Sequence, residues 1–85
     1  MRGTTESGFE FEVKEEALND WELVEYMDDM EENPQHIIRV AKKLLGKEQY
    51  EQMKEHCREE NGIVNFRNMT AEIIDILHGN SKTKN

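Results

Sequence analysis

The spacing of apolar residues changes once along the chain. Near the N-terminus, Phe9, Phe11 and Val13 alternate with charged residues, which places the three apolar side chains on one side of an extended segment. The pattern occurs once, so no second strand is predicted to pair with it, and we expect an extended N-terminal arm over residues 1–13. Two alternatives stay open: the arm covers the core, or Phe9 and Phe11 reach a partner.

Beyond residue 19, apolar residues recur every three or four positions, which predicts amphipathic helices. Asn19 and Asp20 can cap a first helix over about residues 20–32, and Asn33-Pro34 is a strong restart signal. A second helix would end at Gly46, a third would span about 47–60, and a fourth, capped by Asn65, would reach His78. The predicted inward residues are Trp21, Val24, Met27 and Met30; Ile37, Ile38, Ala41, Leu44 and Leu45; Tyr50, Met53 and Cys57; and Phe66, Met69, Ile73, Ile76 and Leu77.

Four helices of this length are unstable alone, because nucleation is costly and a short helix depends on burying its apolar face. The sequence therefore predicts an all-α fold, a small bundle of four short helices in a single domain over residues 1–79. Residues 80–85 are polar and predict a flexible C-terminal tail. Trp21 is the largest predicted core residue, so its replacement by Ala is expected to cost about 3–5 kcal/mol.

Charge is distributed unevenly over the 85 residues, whose net charge is −8. From Glu6 to Glu32 there are twelve carboxylates and only Lys14 as a base, whereas the remainder carries a small positive charge. Arg39, Lys42, Lys43 and Lys47 gather around the second predicted helix. Acidic and basic ends of neighbouring copies could therefore stack, which makes these four residues candidates for self-association.

Motifs for catalysis or metal binding are absent from the sequence. The three histidines are too far apart to share a helix face, and the acidic cluster at residues 28–32 lacks the glycine of a calcium loop. Nucleophile elbows and phosphate-binding glycine loops are also missing. We expect no enzyme activity, no cofactor and no metal site.

The partner and the compartment are constrained by composition. An acidic chain is a poor ligand for nucleic acid, and no apolar run is long enough to cross a membrane. One cysteine and no secretory signal predict a cytoplasmic protein. Methionines fill cores, but they also line surfaces that accept varied helices, so Met27 and Met30 join Phe9, Phe11 and Trp21 as candidate partner-binding residues.

Six short segments follow one another along residues 8–85: Phe9-Glu10-Phe11-Glu12-Val13, Asn19-Asp20-Trp21-Glu22-Leu23, Asn33-Pro34, Leu44-Leu45-Gly46-Lys47-Glu48-Gln49, Gly62-Ile63-Val64 and Lys84-Asn85. No single segment is specific, but their order and spacing together are. In that order and spacing the chain resembles the small tail assembly chaperones of tailed bacteriophages and prophages from low-GC Gram-positive hosts.

The resemblance implies an all-helical protein that binds the long tape measure protein, keeps it soluble in the host cytoplasm and is absent from the mature virion. It also implies a longer form, made by programmed frameshifting, that recruits tail tube protein. Thr83-Lys84-Asn85 can be encoded as ACA AAA AAC, which contains the slippery heptamer A AAA AAC. Non-slippery codons in the gene would remove that part of the hypothesis.

Two other functions stay open. The carboxylate run is typical of an acidic DNA mimic that covers a basic protein, and the arm and tail would suit a small adaptor or toxin-neutralising protein. A tape measure gene immediately downstream would favour the chaperone, whereas an isolated early gene would favour the mimic.

Overall fold

A computed structural model describes residues 1–78, which form a two-stranded sheet and four helices. In chain order these are β1 (Arg2–Thr4), β2 (Glu10–Glu12), α1 (Glu15–Leu18), α2 (Trp21–Asp28), α3 (His36–Cys57) and α4 (Phe66–His78). The prediction of a mostly helical fold is confirmed, and a small two-stranded antiparallel sheet accompanies the four helices. The predicted tail at residues 80–85 lies outside the described part of the chain.

The predicted N-terminal arm, residues 1–13, folds back on itself as a β-hairpin, and its Phe9–Val13 segment contains the second strand. Strands β1 and β2 pair antiparallel, with Gly3 opposite Phe11. The turn between them is closed by the Thr5 amide, which donates to the Phe9 carbonyl at 2.9 Å, and by Gly8, which has a φ of 99°. The sequence missed β1 because Arg-Gly-Thr lacks the alternation and the β-branched content that mark strands.

One face of the hairpin closes the core. Phe9, Phe11 and Val13 are all buried, so the predicted one-sided pattern is confirmed and the segment covers the helices rather than extending away from them. The outer edge of β2 is held by the Gln49 side chain, which donates to the Glu12 carbonyl and accepts from the Glu12 amide, both at 2.7 Å. The side-chain amide of Gln49 thus makes the hydrogen bonds that a third strand would make, and these bonds join the sheet directly to α3.

Helix α2 starts as predicted, but it turns a different side toward the core than the one predicted. The Asp20 carboxylate accepts from the Glu22 and Leu23 amides at 2.9 and 3.3 Å, which confirms the cap. The helix ends at Asp28 instead of residue 32. Leu23 is buried, whereas Trp21 is 75% exposed and Val24 is also exposed, so the prediction of an inward Trp21 is wrong.

The second and third predicted helices form one element that changes direction at Gly46. This residue has φ 77° and ψ 169°, a conformation that only glycine adopts readily. The predicted break is thus confirmed, although the helix resumes at once. Leu44, Leu45, Met53 and Cys57 are buried on the two sides of the break, as their spacing predicts.

Helix α4 has the predicted bounds. The Asn65 side chain accepts a hydrogen bond from the Asn68 amide at 3.0 Å, which confirms the predicted cap. Ile73 and Ile76 are buried as predicted. Phe66, however, is 55% exposed at the start of the helix. The core thus combines the hairpin with α2, α3 and α4; its buried apolar residues are Phe9, Phe11, Val13, Leu23, Ile37, Val40, Ala41, Leu44, Leu45, Met53, Cys57, Ile73 and Ile76.

Candidate partner-binding surface

An apolar groove lies between α3 and α4 and has a volume of about 220 Å³. Ile37, Ala41 and Ile73 are buried at its base, while Ile38 (44% exposed) and Phe66 (55% exposed) stand open to solvent. We call it the α3–α4 groove. Its lining residues are Ile37, Ile38, Ala41, Tyr50, Lys54, Val64, Phe66, Met69 and Ile73.

Some of the apolar surface of the groove comes from a residue of α3 that the core leaves uncovered. Ile37 and Ile38 are adjacent in sequence, and neighbouring helical residues point about 100° apart, so their side chains can differ in burial. Ile37 is buried and Ile38 is exposed. The break at Gly46 then places Tyr50 of the second half of α3 along the same groove as Ile38 of the first half.

Basic side chains border this groove. Lys54 and Lys42 lie 5.4 and 5.6 Å from the centre of the Tyr50 ring, close enough for cation–π attraction. Lys42 also lines a neighbouring cleft with Arg39, and Ile38 belongs to both the cleft and the groove. A helix with an apolar stripe and acidic flanks would therefore find complementary surface here.

A second apolar surface lies on α2. Trp21, Val24, Glu25 and Asp28 follow the i, i+3, i+4, i+7 spacing of a single helix face, and all four are exposed. We call this the α2 face. It combines a largely exposed tryptophan with two carboxylates, and tryptophan is the residue most enriched among those that dominate binding energy.

The acidic and basic segments already meet within the chain. The Lys43 ammonium lies 2.9 Å from the Asp20 carboxylate and 3.6 Å from that of Glu22. The hydrogen bond to Lys43 lowers the pKa of Asp20, and the same bond raises the pKa of Lys43. This contact fixes the start of α2 against α3.

The predicted partner-binding residues separate into three groups. Phe9 and Phe11 are buried in the core, so their prediction as surface contacts is wrong; the hairpin that the sequence did not reveal folds them inward. Met27 and Met30 are half-buried and pack against the core. Trp21 alone presents most of its surface to solvent.

The predicted self-association residues are also not equivalent. Lys43 is held by Asp20 and Glu22, so its charge is matched inside the chain. Arg39 is exposed, with its guanidinium 5.7 Å from the Tyr26 ring centre. Lys42 and Lys47 are exposed as well. The basic surface is therefore narrower than predicted and centres on Arg39 and Lys42 beside the groove.

A larger cleft of about 890 Å³ lies at the opposite side of α4, near the hairpin turn. There the Ser7 hydroxyl donates to the Glu72 carboxylate at 2.5 Å and lies 2.9 Å from Nε2 of His56. In a Ser-His-acid triad the acid accepts from Nδ1 of the histidine, whereas Glu72 accepts from the serine itself. The arrangement anchors the hairpin turn to α3 and α4.

Cys57 lines the same cleft, but burial and the nearby charge of Glu72 raise the pKa of its thiol, which opposes thiolate formation. Within residues 1–78, no group of three or more His, Cys, Asp or Glu side chains is placed to hold a metal ion. None of the helices described is both long enough and apolar enough to span a membrane.

Sequence reasoning missed Ile38 and Phe66 as surface residues because both fit the apolar stripes of their helices. The adjacent pair Ile37-Ile38 was a weak signal, because neighbouring helical side chains point about 100° apart, yet the adjacent pair Leu44-Leu45 of the same helix is buried at both positions. Phe66 carried no comparable signal, because its exposure depends on where the other elements end.

Comparison with known proteins gives no match: no family model, no curated protein and no solved structure is significantly similar to this chain. The resemblance to tail assembly chaperones thus stays a prediction that rests on the segments quoted for it.

Proposed function

We propose that this protein is a phage tail assembly chaperone that binds apolar helices of the tape measure protein and keeps them soluble until the tail tube forms. The α3–α4 groove is the observation that supports it. Its base is apolar and two of its hydrophobic side chains are open to solvent, which is the form of site that receives an amphipathic helix.

The contacts of the groove suit a changing partner. Met69 and Tyr50 are half-buried in its wall, and methionine adapts its shape to different neighbours at low cost. Lys42 at the border would pair with acidic residues flanking the partner's apolar stripe, whereas the Lys54 ammonium already lies 3.4 Å from the Glu51 carboxylate. A long helical ruler offers many such stripes, so several copies could bind along it.

The remaining parts of the proposal come from the family resemblance. The chaperone would act in the host cytoplasm and be absent from the virion, and a longer frameshifted form would recruit tail tube protein. The codons of Thr83, Lys84 and Asn85 test that form directly, because the frameshift needs the slippery heptamer.

Co-expression with the tape measure protein tests the function. We expect the wild-type chain to move the tape measure protein from the insoluble to the soluble fraction. Phe66→Asp and Ile38→Asp place charge in the groove and should abolish this effect. Ile74→Asp is the matched control, since Ile74 is 41% exposed but lies outside the groove.

The control variant should solubilise as well as the wild-type chain, and circular dichroism should show that all three variants are folded. A wild-type chain that leaves the tape measure protein insoluble would refute the function. If the groove variants solubilise the tape measure protein fully, the chaperone function would stand but the α3–α4 groove would be excluded as the binding site.

A second function is favoured by one observation. Of the twelve carboxylates between Glu6 and Glu32, ten are exposed, so an acidic surface is available to a basic protein. An acidic DNA mimic or adaptor would use this surface and not the groove. Its binding would weaken strongly with added salt, and Phe66→Asp would leave it intact.

A further inference from the structure

The α2 face and the α3–α4 groove are complementary surfaces on the same chain. The face offers an apolar anchor, Trp21 and Val24, beside the carboxylates of Glu25 and Asp28. The groove offers an apolar recess bordered by Lys42 and Arg39, and by Lys54, whose ammonium lies 3.4 Å from the Glu51 carboxylate of the same chain. Both the apolar character and the charge signs match.

The sizes match as well. A cavity of about 150 Å³ in a protein interior holds a benzene ring. The groove, at about 220 Å³, therefore has room for the larger indole ring of one tryptophan. Trp21 is 75% exposed, so it does not occupy the groove of its own chain.

We propose that the protein self-associates by inserting Trp21 of one copy into the α3–α4 groove of a second copy. In this contact, Glu25 and Asp28 of the first copy face the basic border of the second copy's groove. The contact joins two different surfaces, so a pair of copies keeps one free groove, on the first copy, and one free α2 face, on the second, unless the two copies exchange anchors. The contact needs no tape measure protein, and a client helix in the groove would displace it.

This contact differs from charge stacking alone. Glu25 and Asp28 speed the encounter and fix the orientation, whereas burial of the tryptophan holds the copies together. Added salt should therefore weaken the association without abolishing it, and loss of the indole should abolish it.

Sedimentation velocity of the purified protein, without any client, tests the proposal. We expect the mass to rise above the 10.1 kDa of one chain as concentration increases. Trp21→Ser should weaken association at least about 30-fold, the loss expected for a binding hot spot. Trp21→Phe should retain part of it, and Ile74→Ser, a matched exposed apolar residue outside the groove, should leave it unchanged.

Mixing two variants gives the sharpest result. Trp21→Ser lacks the anchor but keeps the groove, while Ile38→Glu blocks the groove but keeps the anchor. Each should be monomeric alone, and the mixture should form a dimer with one chain of each kind. A wild-type chain that stays monomeric at about 1 mM, a Trp21→Ser variant that associates normally, or a mixture that stays monomeric would each overturn the proposal.

The outcomes also separate this contact from the chaperone function. Failure of self-association leaves client binding untouched, because the assay contains no client. Failure of solubilisation leaves self-association untouched. If both hold, Trp21→Ser should bind the client at lower protein concentration than the wild-type chain, since its groove is free.

Discussion

Replacing Trp21 and Leu23 separately by Ala compares two residues on the same helix with opposite exposure. Leu23 is 1% exposed, and Trp21 is 75% exposed. Periodicity and size alone predict that Trp21 contributes more to the core than Leu23. In the structure Leu23 is the core residue and Trp21 lies at the surface. The pair therefore tests how α2 is rotated on the rest of the molecule.

The two costs can be worked from burial. A Leu-to-Ala change in a core costs about 2–5 kcal/mol. A tryptophan that buries a quarter of roughly 150–250 Å² hides about 40–60 Å², which is about 1–1.5 kcal/mol at 25 cal/mol per Å². Alanine regains about 0.5 kcal/mol through its better helix propensity. The expected cost at Trp21 is therefore about 0.5–1 kcal/mol.

Urea unfolding followed by far-ultraviolet circular dichroism measures both costs. Fluorescence is unsuitable, because Trp21 is the only tryptophan. Dilute protein keeps any contact between copies from adding to the measured free energy. We expect the unfolding midpoint to fall much further for Leu23→Ala than for Trp21→Ala. An equal or larger fall for Trp21→Ala would mean that α2 turns its tryptophan inward and that the α2 face does not exist.

Three further predictions concern a break, an ion pair and an anchor. Gly46→Ala should lower the free energy of unfolding in urea by about 1–3 kcal/mol, since a φ of 77° is strained for alanine. A more stable variant would instead mean that α3 is continuous through residue 46. In an NMR titration the pKa of Asp20 should lie below the usual aspartate value, because the carboxylate is paired with Lys43. The contribution of this ion pair to stability is therefore lost as the pH falls through that lowered pKa. Lys43→Met should raise the pKa of Asp20, and an unchanged pKa would refute the pairing. Ser7→Ala removes a hydrogen bond from buried Glu72 and should cost about 1–3 kcal/mol in thermal unfolding, an effect that unchanged stability would contradict.

Local signals in the sequence predicted the start of α2, the break within α3 and both ends of α4, but not β1 or α1. Asp20 and Asn65 are caps whose side chains reach amides two or three residues away, so no distant contact is needed to foresee them. Gly46 was predicted as a break on the same grounds. Alternation at Phe9, Phe11 and Val13 likewise predicted which side of that segment is apolar.

The candidate site was predicted less well. Trp21 was identified as a partner-binding residue, and its exposure makes it available for that role. Phe9 and Phe11 were assigned to the same surface but lie in the core, since the strand that folds them inward carries no recognisable pattern. Ile38 and Phe66 were assigned to the core but border the groove.

The sequence by itself determined where α2 and α4 begin, where α3 breaks and which residues are apolar, because caps, glycines and periodicity act over a few positions. Only the tertiary structure decided which apolar residues are covered. Pairing of β1 with β2, the Lys43 contact with Asp20 and the course of α3 beyond Gly46 join residues distant in sequence. These long-range contacts set the rotation of each helix, and that rotation leaves Trp21, Ile38 and Phe66 on the surface.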